Sequence, residues 1–247
     1  KTWELALFIF AISAFSETVI KNIELGQVNL VLVLLIMFDT VTKAHYRGFL
    51  TGMAAGFKIV PAIFIVFMLV NRRWGDFGRA LLGFLTTLAI GSFFGIGQVW
   101  QFFSVELWDT TRVGAADRLS NVSMYGALTR WIPGSDPVVL WAVLAATVAA
   151  AGLAIAGFWW NHSRLVAAVV VGITGLLVSP VSWVHHWVWF IPAACAAIAL
   201  AIRAFRSSDR LVGVCLSIAA AAMVLPELGE LRYAGGRLAQ DSTLGES

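Results

Sequence analysis

The part of the sequence best suited to chemistry is residues 179–186, SPVSWVHH, which places two imidazoles, two hydroxyls and an indole within eight residues. These polar groups interrupt a chain that is otherwise mostly hydrocarbon, at the turn between two apolar runs. Imidazole takes up and releases protons near neutral pH, and two adjacent imidazoles also suit contact with an anion. We therefore expect His185 and His186 to belong to a functional site.

The length of the flanking sequence predicts where this stretch lies. Only 38 residues separate Arg164 from Arg203, whereas two membrane crossings need roughly 40, so the turn must lie at a membrane interface. Pro180 disfavours helix at the preceding residue, and Ser182 is a candidate N-cap for the following helix. The two histidines then fall in the first helical turn, whose positive dipole end favours a bound anion. The alternative is that the histidines and neighbouring tryptophans only anchor the helix among headgroups.

Further polar groups are predicted on the same side of the membrane. The segment 108–114, WDTTRVG, offers Asp109 beside Arg112, and arginine suits bidentate contact with a phosphate. The other candidates on this side are Glu17, Glu24, Gln27, Asn29, Arg118 and Arg130. The alternative for all of them is that they are ordinary solvated loop charges.

Composition identifies the chain as an integral membrane protein. It has 60% hydrophobic and only 13% charged residues, with a mean hydropathy of +0.84, which is too few charges to cover a soluble protein of this size. Cys195 and Cys215 lie within apolar runs, and we expect them to be small buried hydrophobes. Apolar runs of spanning length cover residues 3–20, 26–42, 48–70, 81–103, 138–160, 165–178, 187–202 and 211–225.

The distribution of Lys and Arg predicts the orientation of these runs. Cytoplasmic loops are enriched in basic residues, and the basic clusters are Lys43 with Arg47, Arg72 with Arg73 and Arg79, Arg164, and Arg203 with Arg206 and Arg210. The opposite, outer side then holds residues 21–26, 104–137, 179–186 and the tail after Pro226.

The run over residues 48–70 does not fit a simple alternation of spans, because it has basic clusters at both ends. Its centre contains Lys58 and Pro61; the ammonium is costly in an apolar run, and the proline removes a helix hydrogen bond. We predict a broken or re-entrant helix pair that enters and returns on the cytoplasmic side, with Lys58 deep in the protein and facing a polar cavity. The alternative is a single kinked span that violates the charge rule.

The long outer loop is predicted to contain an interfacial helix. Ser120 is a candidate N-cap for a helix over residues 121–132, in which apolar residues recur at helical spacing. Adjacent histidines point about 100° apart on a helix, and no paired-cysteine or His-x-x-x-His spacing occurs, so no metal site is predicted. No Walker or dinucleotide motif is present, and we expect no cofactor and no nucleic-acid partner.

Six short motifs, taken in order, resemble glycosyltransferase family 87 of the GT-C superfamily: LGQVNL at 25–30, GMAAGFKIVP at 52–61, RRW at 72–74, RVG at 112–114, SNVS at 120–123 and SPVSWVHH at 179–186. The resemblance covers roughly residues 25–202. One departure is Val122, where the family commonly has glutamine.

The resemblance implies a fold, an activity and a location. The fold is an all-α, polytopic transmembrane bundle of GT-C type, with residues 1–247 as one domain that lacks the N-terminal helix and first outer loop, where the family carries its Asp or Glu base. The activity is transfer of a sugar, expected to be mannose, from a polyprenyl-phosphate donor to a glycolipid or lipoglycan acceptor. The expected location is a bacterial plasma membrane, which the chain crosses several times, so that membrane lipids surround it. The active site is expected on the outer side.

The resemblance also suggests roles for individual residues. His185, His186 and Asp109 are the catalytic candidates. The candidates for donor or phosphate binding are Lys58, Arg112, Arg118, Gln27, Asn29 and Ser182. The substrate-binding candidates are Asn121, Ser123 and Trp183.

Two other classes of function fit parts of the sequence. An intramembrane lysine and histidine pair in a broken helix also suits the pathway of a transporter or channel, although no inverted repeat is visible. A chain that lacks the family's carboxylate could instead be a non-catalytic membrane subunit.

Overall fold

The computed structural model describes residues 16–42, 45–109, 112 and 114–224. Most of the predicted first span and the tail after Pro226 therefore lie outside the described residues. The elements found are the α-helices α1 Glu17–Glu24, α2 Asn29–Val41, α3 Phe49–Phe57, α4 Ala62–Val70, α5 Trp74–Gln101, α6 Met124–Trp131, α7 Val138–Trp160, α8 Arg164–Val178, α9 Phe190–Arg206 and α10 Arg210–Val224. A π-helical turn over Phe102–Glu106 follows α5, and a 3₁₀ segment over Val184–Trp189 precedes α9.

The helices confirm the predicted all-α membrane architecture. Three segments are long and apolar enough to cross a membrane, namely Trp74–Glu106, Val138–Trp160 and Val184–Arg206, and α1 with α2 forms a fourth if they are counted together. The helix α7 matches the predicted 138–160 run at both ends. Two shorter apolar helices, Arg164–Val178 and Arg210–Met223, accompany them.

The described chain divides into two compact units. One comprises residues 16–30 and 188–224, and the other comprises residues 31–187. In the first unit α9 packs along α10, and in the second the main packing is of α3 on α5 and of α7 on α8. The whole histidine stretch, residues 179–186, belongs to the second unit, together with α3 to α8.

The predicted broken helix pair is present as α3 and α4. Gly48, Gly52 and Gly56 of α3 lie against Asp76, Ala80 and Thr87 respectively, so α3 runs alongside α5 in the same direction. The backbone then becomes extended at Lys58, and α4 starts after Pro61 and returns to the N-terminal end of α5. Both ends of the pair thus lie at one end of the unit. A single kinked span is excluded, and Lys58 lies at the tip of a helical hairpin.

A buried carboxylate holds the start of this hairpin. Asp39, on α2, is fully buried, and its Oδ2 accepts hydrogen bonds from Gly48 N at 2.8 Å, Thr51 N at 3.1 Å and Thr51 Oγ1 at 2.6 Å. The first amides of a helix have no partner within the helix, and a carboxylate satisfies them well. Asp39 therefore replaces the N-cap side chain that Gly48 lacks.

The predicted span over residues 81–103 is wrong in its second half. The backbone leaves helical geometry at Gly95, inside α5, and the residues beyond it turn back along the first part of that helix, residues 74–94. The rings of Phe84 and Phe103 lie 6.1 Å apart, whereas an uninterrupted helix would separate these residues by about 28 Å. Residues 74–94 suffice for one crossing of roughly 30 Å, so the returning segment is not part of the span.

Substitution of Gly52 tests the close contact between α3 and α5. An added Cβ at Gly52 would lie 1.8 Å from the Ala80 carbonyl oxygen, whereas one at Gly78 on α5 would meet nothing within 4 Å. We expect Gly52→Ala to destabilise the protein by about 1–3 kcal/mol or more, because rigid backbone must separate. The matched Gly78→Ala variant should be neutral or slightly stabilising. Thermal unfolding of the purified full-length variants checks this, and equal melting temperatures would contradict the contact.

Accessibility labelling tests the hairpin. Single cysteines at Arg47 and Arg72, in a cysteine-free background, should react with a membrane-impermeant thiol reagent from the same side of sealed vesicles, because both positions flank the open end of the hairpin. Reaction from opposite sides would show that this segment crosses the membrane.

Candidate functional site

The tip of the hairpin meets the histidine stretch. Lys58 Nζ lies 3.0 Å from His186 Nε2, although the two residues are 128 positions apart in the chain. His185 packs its ring edge-to-face on His186 with a centroid distance of 4.5 Å. All three side chains are half-buried. The structure therefore brings together the Lys58 amine and the imidazole pair, which the sequence places in separate motifs.

The hydrogen bonds of His186 restrict where its proton lies. The backbone N–H of Trp183 donates to His186 Nδ1 at 3.2 Å. Because a backbone N–H can only donate, a neutral imidazole here carries its hydrogen on Nε2, the nitrogen that faces Lys58. An Nε2–H group can donate to an uncharged amine, whereas it would meet the hydrogens of an ammonium. Lys58 and His186 are thus arranged to share a proton, and they cannot both be cations while these contacts persist.

The local structure of the histidine stretch differs from the sequence prediction. Ser182 is not an N-cap, because the 3₁₀ segment begins at Val184 and the Ser182 hydroxyl is buried with no hydrogen-bond partner among the described residues. His186 itself satisfies the Trp183 amide. The histidines therefore lie in a 3₁₀ turn that precedes α9, and the expected α-helical dipole does not begin at them. The predicted break at Ser179 is confirmed, since its backbone is extended.

Asn121 and Ser123 of the SNVS motif form hydrogen bonds that hold the backbone of the histidine stretch, and we call these two residues the clamp. The Asn121 side chain accepts hydrogen bonds from Ser182 N at 2.9 Å and Ser123 N at 3.3 Å, and it donates to the carbonyls of Ala116 at 2.9 Å and Pro180 at 3.3 Å. The backbones also pair as an isolated β-bridge between Asn121 and Trp183. Every hydrogen-bonding position of this amide is therefore occupied.

Ser123 completes the clamp and starts the outer helix. Its hydroxyl donates to the Pro180 carbonyl at 2.9 Å and accepts from Gly126 N at 3.0 Å. The predicted cap at Ser120 is wrong for this reason: α6 begins at Met124 with Ser123 as its N-cap, and the residues before it are committed to the β-bridge. Both Asn121 and Ser123 are buried. They hold the wall of the site, and direct contact with a ligand would require breaking these bonds.

The loop that carries Arg118 packs on Trp183. Gly114 adopts a φ of +118°, and an added Cβ there would lie 3.2 Å from the Trp183 ring and 3.8 Å from Arg118 Nη1. Arg130 ties the loop to the clamp, because its Nη1 donates to the carbonyls of both Arg118 and Asn121 at 3.0 Å. The side chains of Arg118 and Trp183 therefore both lie close to Gly114.

The remaining predicted site residues are placed less directly. Arg112 forms an ion pair of 2.9 Å with Glu106, and Asp109 is exposed. Gln27 and Asn29 belong to the other unit, where Asn29 donates to Asn22 Oδ1 at 2.9 Å. Among the described residues, no group of three or more His, Cys, Asp or Glu side chains is placed to hold a metal ion.

Two contributions to the site were not anticipated from the sequence. One is the Trp183 amide, which selects the tautomer of His186. The other is the indole N–H of Trp187, which is buried and lacks a partner among the described residues. The Trp183 amide carries no sequence signal because every residue other than proline has one, whereas a tryptophan beside two histidines is at least a visible signal.

Comparisons with known proteins show which sequences this chain resembles. The chain is 34% identical over 246 residues to a polyprenol-phosphate-mannose-dependent alpha-(1-2)-phosphatidylinositol mannoside mannosyltransferase of Mycolicibacterium smegmatis, with 92% of this chain and 55% of the relative aligned. The protein of the same description from Mycobacterium tuberculosis is 31% identical, with 78% and 46% covered. A pentamannoside mannosyltransferase of M. smegmatis is 32% identical, with 76% and 46% covered. No solved structure gives a significant match.

The chain spans about half the length of these curated relatives. The family profile of glycosyltransferase family 87 matches residues 2–180, which include α1 to α8 and reach the start of the histidine stretch. With the matched residues covering well over half of the chain, and with a relative above 30% identity aligned over nearly all of it, this protein belongs to glycosyltransferase family 87.

Proposed function

We propose that this protein transfers mannose from a polyprenyl-phosphate donor to a mannoside glycolipid acceptor on the outer side of a bacterial membrane. The contact between Lys58 and His186 is the observation that carries the proposal. The named relatives all use polyprenol-phosphate mannose, and two of them act on phosphatidylinositol mannoside. An amine and imidazole pair next to a tryptophan-lined turn suits a sugar phosphate.

The proposed reaction is a displacement at the anomeric carbon. An acceptor hydroxyl forms a new bond to that carbon, the bond to the phosphate oxygen breaks, and polyprenyl phosphate leaves with its additional negative charge. The hydroxyl proton passes to a base, and cationic or N–H groups stabilise the leaving phosphate. His185, His186 and Asp109 are the proposed proton carriers. Lys58, Arg112, Arg118 and Ser182 are proposed to bind the donor phosphate, and the roles of Gln27 and Asn29 in donor binding stay predictions.

The shared proton between Lys58 and His186 fits this chemistry. A pair in which both the amine and the imidazole are uncharged is able to accept a proton as the acceptor hydroxyl loses it. Protonation would turn Lys58 into an ammonium, which the Nε2–H group can no longer face. That ammonium is then available to the phosphate at the moment when its charge increases.

The location of the pair supports an outer site. The hairpin and α8 both begin at the end of the unit where Arg47, Arg79 and Arg164 lie, and basic ends are cytoplasmic by the positive-inside rule. The helix α8 has 15 residues, or about 22 Å, so the histidine stretch that follows it lies most of a membrane thickness away. This placement supports access from the outer leaflet, where the donor's sugar would be presented.

Removing either partner of the pair tests the proposal. We expect Lys58→Ala and His186→Ala to lower kcat by about 10²–10⁴-fold, the range typical of a proton-transfer group. The matched control is His162→Ala, because His162 is exposed at the opposite end of α8. Transfer of labelled mannose from polyprenyl-phosphate mannose to phosphatidylinositol mannoside by the full-length protein is the measurement. Wild-type turnover in both variants would exclude this site, and an inactive wild-type protein would exclude this combination of donor and acceptor.

The clamp predicts non-additive effects on turnover. We expect Asn121→Ala to lower kcat by about 10-fold or more with little change in KM for the donor, because losing the amide frees residues 180–183 and with them the Trp183 N–H that orients His186. In the double variant with His186→Ala, the Asn121 substitution should add almost nothing. Val122→Ala, at an exposed neighbour, is the control. Fully additive losses would show that Asn121 acts independently of His186.

A further inference from the structure

The end of the unit opposite the histidine stretch carries a cluster of arginines. Arg47 donates to the Thr42 carbonyl through Nε at 3.1 Å and Nη2 at 2.6 Å, and Arg164 donates to the same oxygen through Nη1 at 3.0 Å. Two guanidinium groups from distant parts of the chain thus converge on one carbonyl oxygen. Like charges at this distance repel, so their convergence favours a bound anion.

The carboxylates near this cluster are already used elsewhere. Asp76 pairs with Arg73 and with Arg79, and Asp39 caps α3. Among the described residues, no carboxylate forms an ion pair with Arg47 or Arg164. The cluster thus contains four guanidinium groups and two carboxylates. The positive charge that no carboxylate balances lies on Arg47 and Arg164, which share the Thr42 oxygen.

The arginine pair is held in place from several directions. The Arg47 carbonyl accepts a hydrogen bond from Arg79 Nε at 2.7 Å. Trp160 lies beneath the cluster, with its ring centroid 4.0 Å from the Arg73 guanidinium carbon and 5.7 Å from that of Arg164. Each guanidinium has five N–H donors, of which the Thr42 oxygen uses two on Arg47 and one on Arg164. Several preoriented donors remain, which is an arrangement suited to phosphate oxygens.

The surroundings of the pair are those of a membrane surface. Phe38 and Val41 in the last turn of α2 are 52% and 46% exposed, and Phe158 in the last turn of α7 is 65% exposed. In the sequence these apolar residues come just before Thr42 and Arg164. Lipid-facing side chains are expected in such positions, directly beneath the headgroup layer. A soluble phosphate would not use that apolar surface, whereas acyl chains would cover it.

We propose that Arg47 and Arg164 form a binding site for the phosphodiester of an anionic glycerophospholipid. The lipid phosphate binds between the two guanidinium groups and offsets their repulsion, while its acyl chains cover the exposed side chains of α2 and α7. The bound lipid joins the end of α2 to the start of α8, and it therefore stabilises the end of the bundle that anchors the hairpin.

Lipid binding by the purified full-length protein tests this site. Native mass spectrometry and thermal unfolding in detergent would be measured with dioleoyl phosphatidylglycerol, dioleoyl phosphatidylcholine and glycerol 3-phosphate as separate probes. We expect retention of phosphatidylglycerol and a rise in melting temperature with it, and no comparable effect of the other two. Equal protection by glycerol 3-phosphate would overturn the lipid assignment in favour of a soluble phosphate.

Charge-matched variants separate a site from general attraction. Arg47→Gln with Arg164→Gln should weaken phosphatidylglycerol binding by about tenfold or more. Arg203→Gln with Arg206→Gln removes two exposed charges of α9 instead and should change it little. Equal losses in both double variants would indicate diffuse attraction and overturn the proposal. If the glutamine variant fails to fold, Arg47→Lys with Arg164→Lys replaces it. Lysine keeps the positive charge but cannot form the bidentate hydrogen bonds of a guanidinium. Weakened binding would then support the site, and unchanged binding would overturn it.

Discussion

The close backbone contact between α3 and α5 is the constraint on which the position of Lys58 depends. Gly48, Gly52 and Gly83 allow the two helices to approach until backbone touches backbone. The hairpin is short, since α3 and α4 have nine residues each, so it reaches only about halfway across a bilayer. Its tip therefore places a lysine inside the bundle, where a straight helix would have carried the chain through.

His186 is positioned by a separate set of contacts that does not involve the hairpin. Asn121 and Ser123 hold the backbone of residues 180–183, and the Trp183 amide then orients the imidazole towards Lys58. The two halves of the pair thus come from elements that are each fixed by their own neighbours. Such preorganisation is what the proposed role of the pair towards a donor phosphate requires, because neither group would have to move far.

The charges of the unit are arranged in two distinct ways. At the basic end, Asp39 caps the start of α3, Asp76 pairs with Arg73 and Arg79, and Arg47 and Arg164 converge on the Thr42 carbonyl. At the other end, Lys58 lies against the His186 imidazole, which in turn accepts the Trp183 amide N–H. The first arrangement suits a permanent anion such as a lipid phosphate, and the second suits a charge that appears only during a reaction.

Composition and residue counts alone determined the membrane class, most helix positions and the location of the histidine stretch between two apolar runs, because hydrophobic length and basic flanks are local properties of the chain. The broken pair at Lys58 and Pro61 was also predictable, since a cation and a proline in an apolar run are local signals. The fold-back after Gly95, the cap at Ser123 and the 3₁₀ turn at the histidines were not, because each depends on which distant backbone groups compete for a hydrogen bond. Only the tertiary structure brought Lys58 to His186 and gave Asn121 its clamp, since those contacts join residues about 60 to 130 positions apart, and local sequence patterns carry no such information.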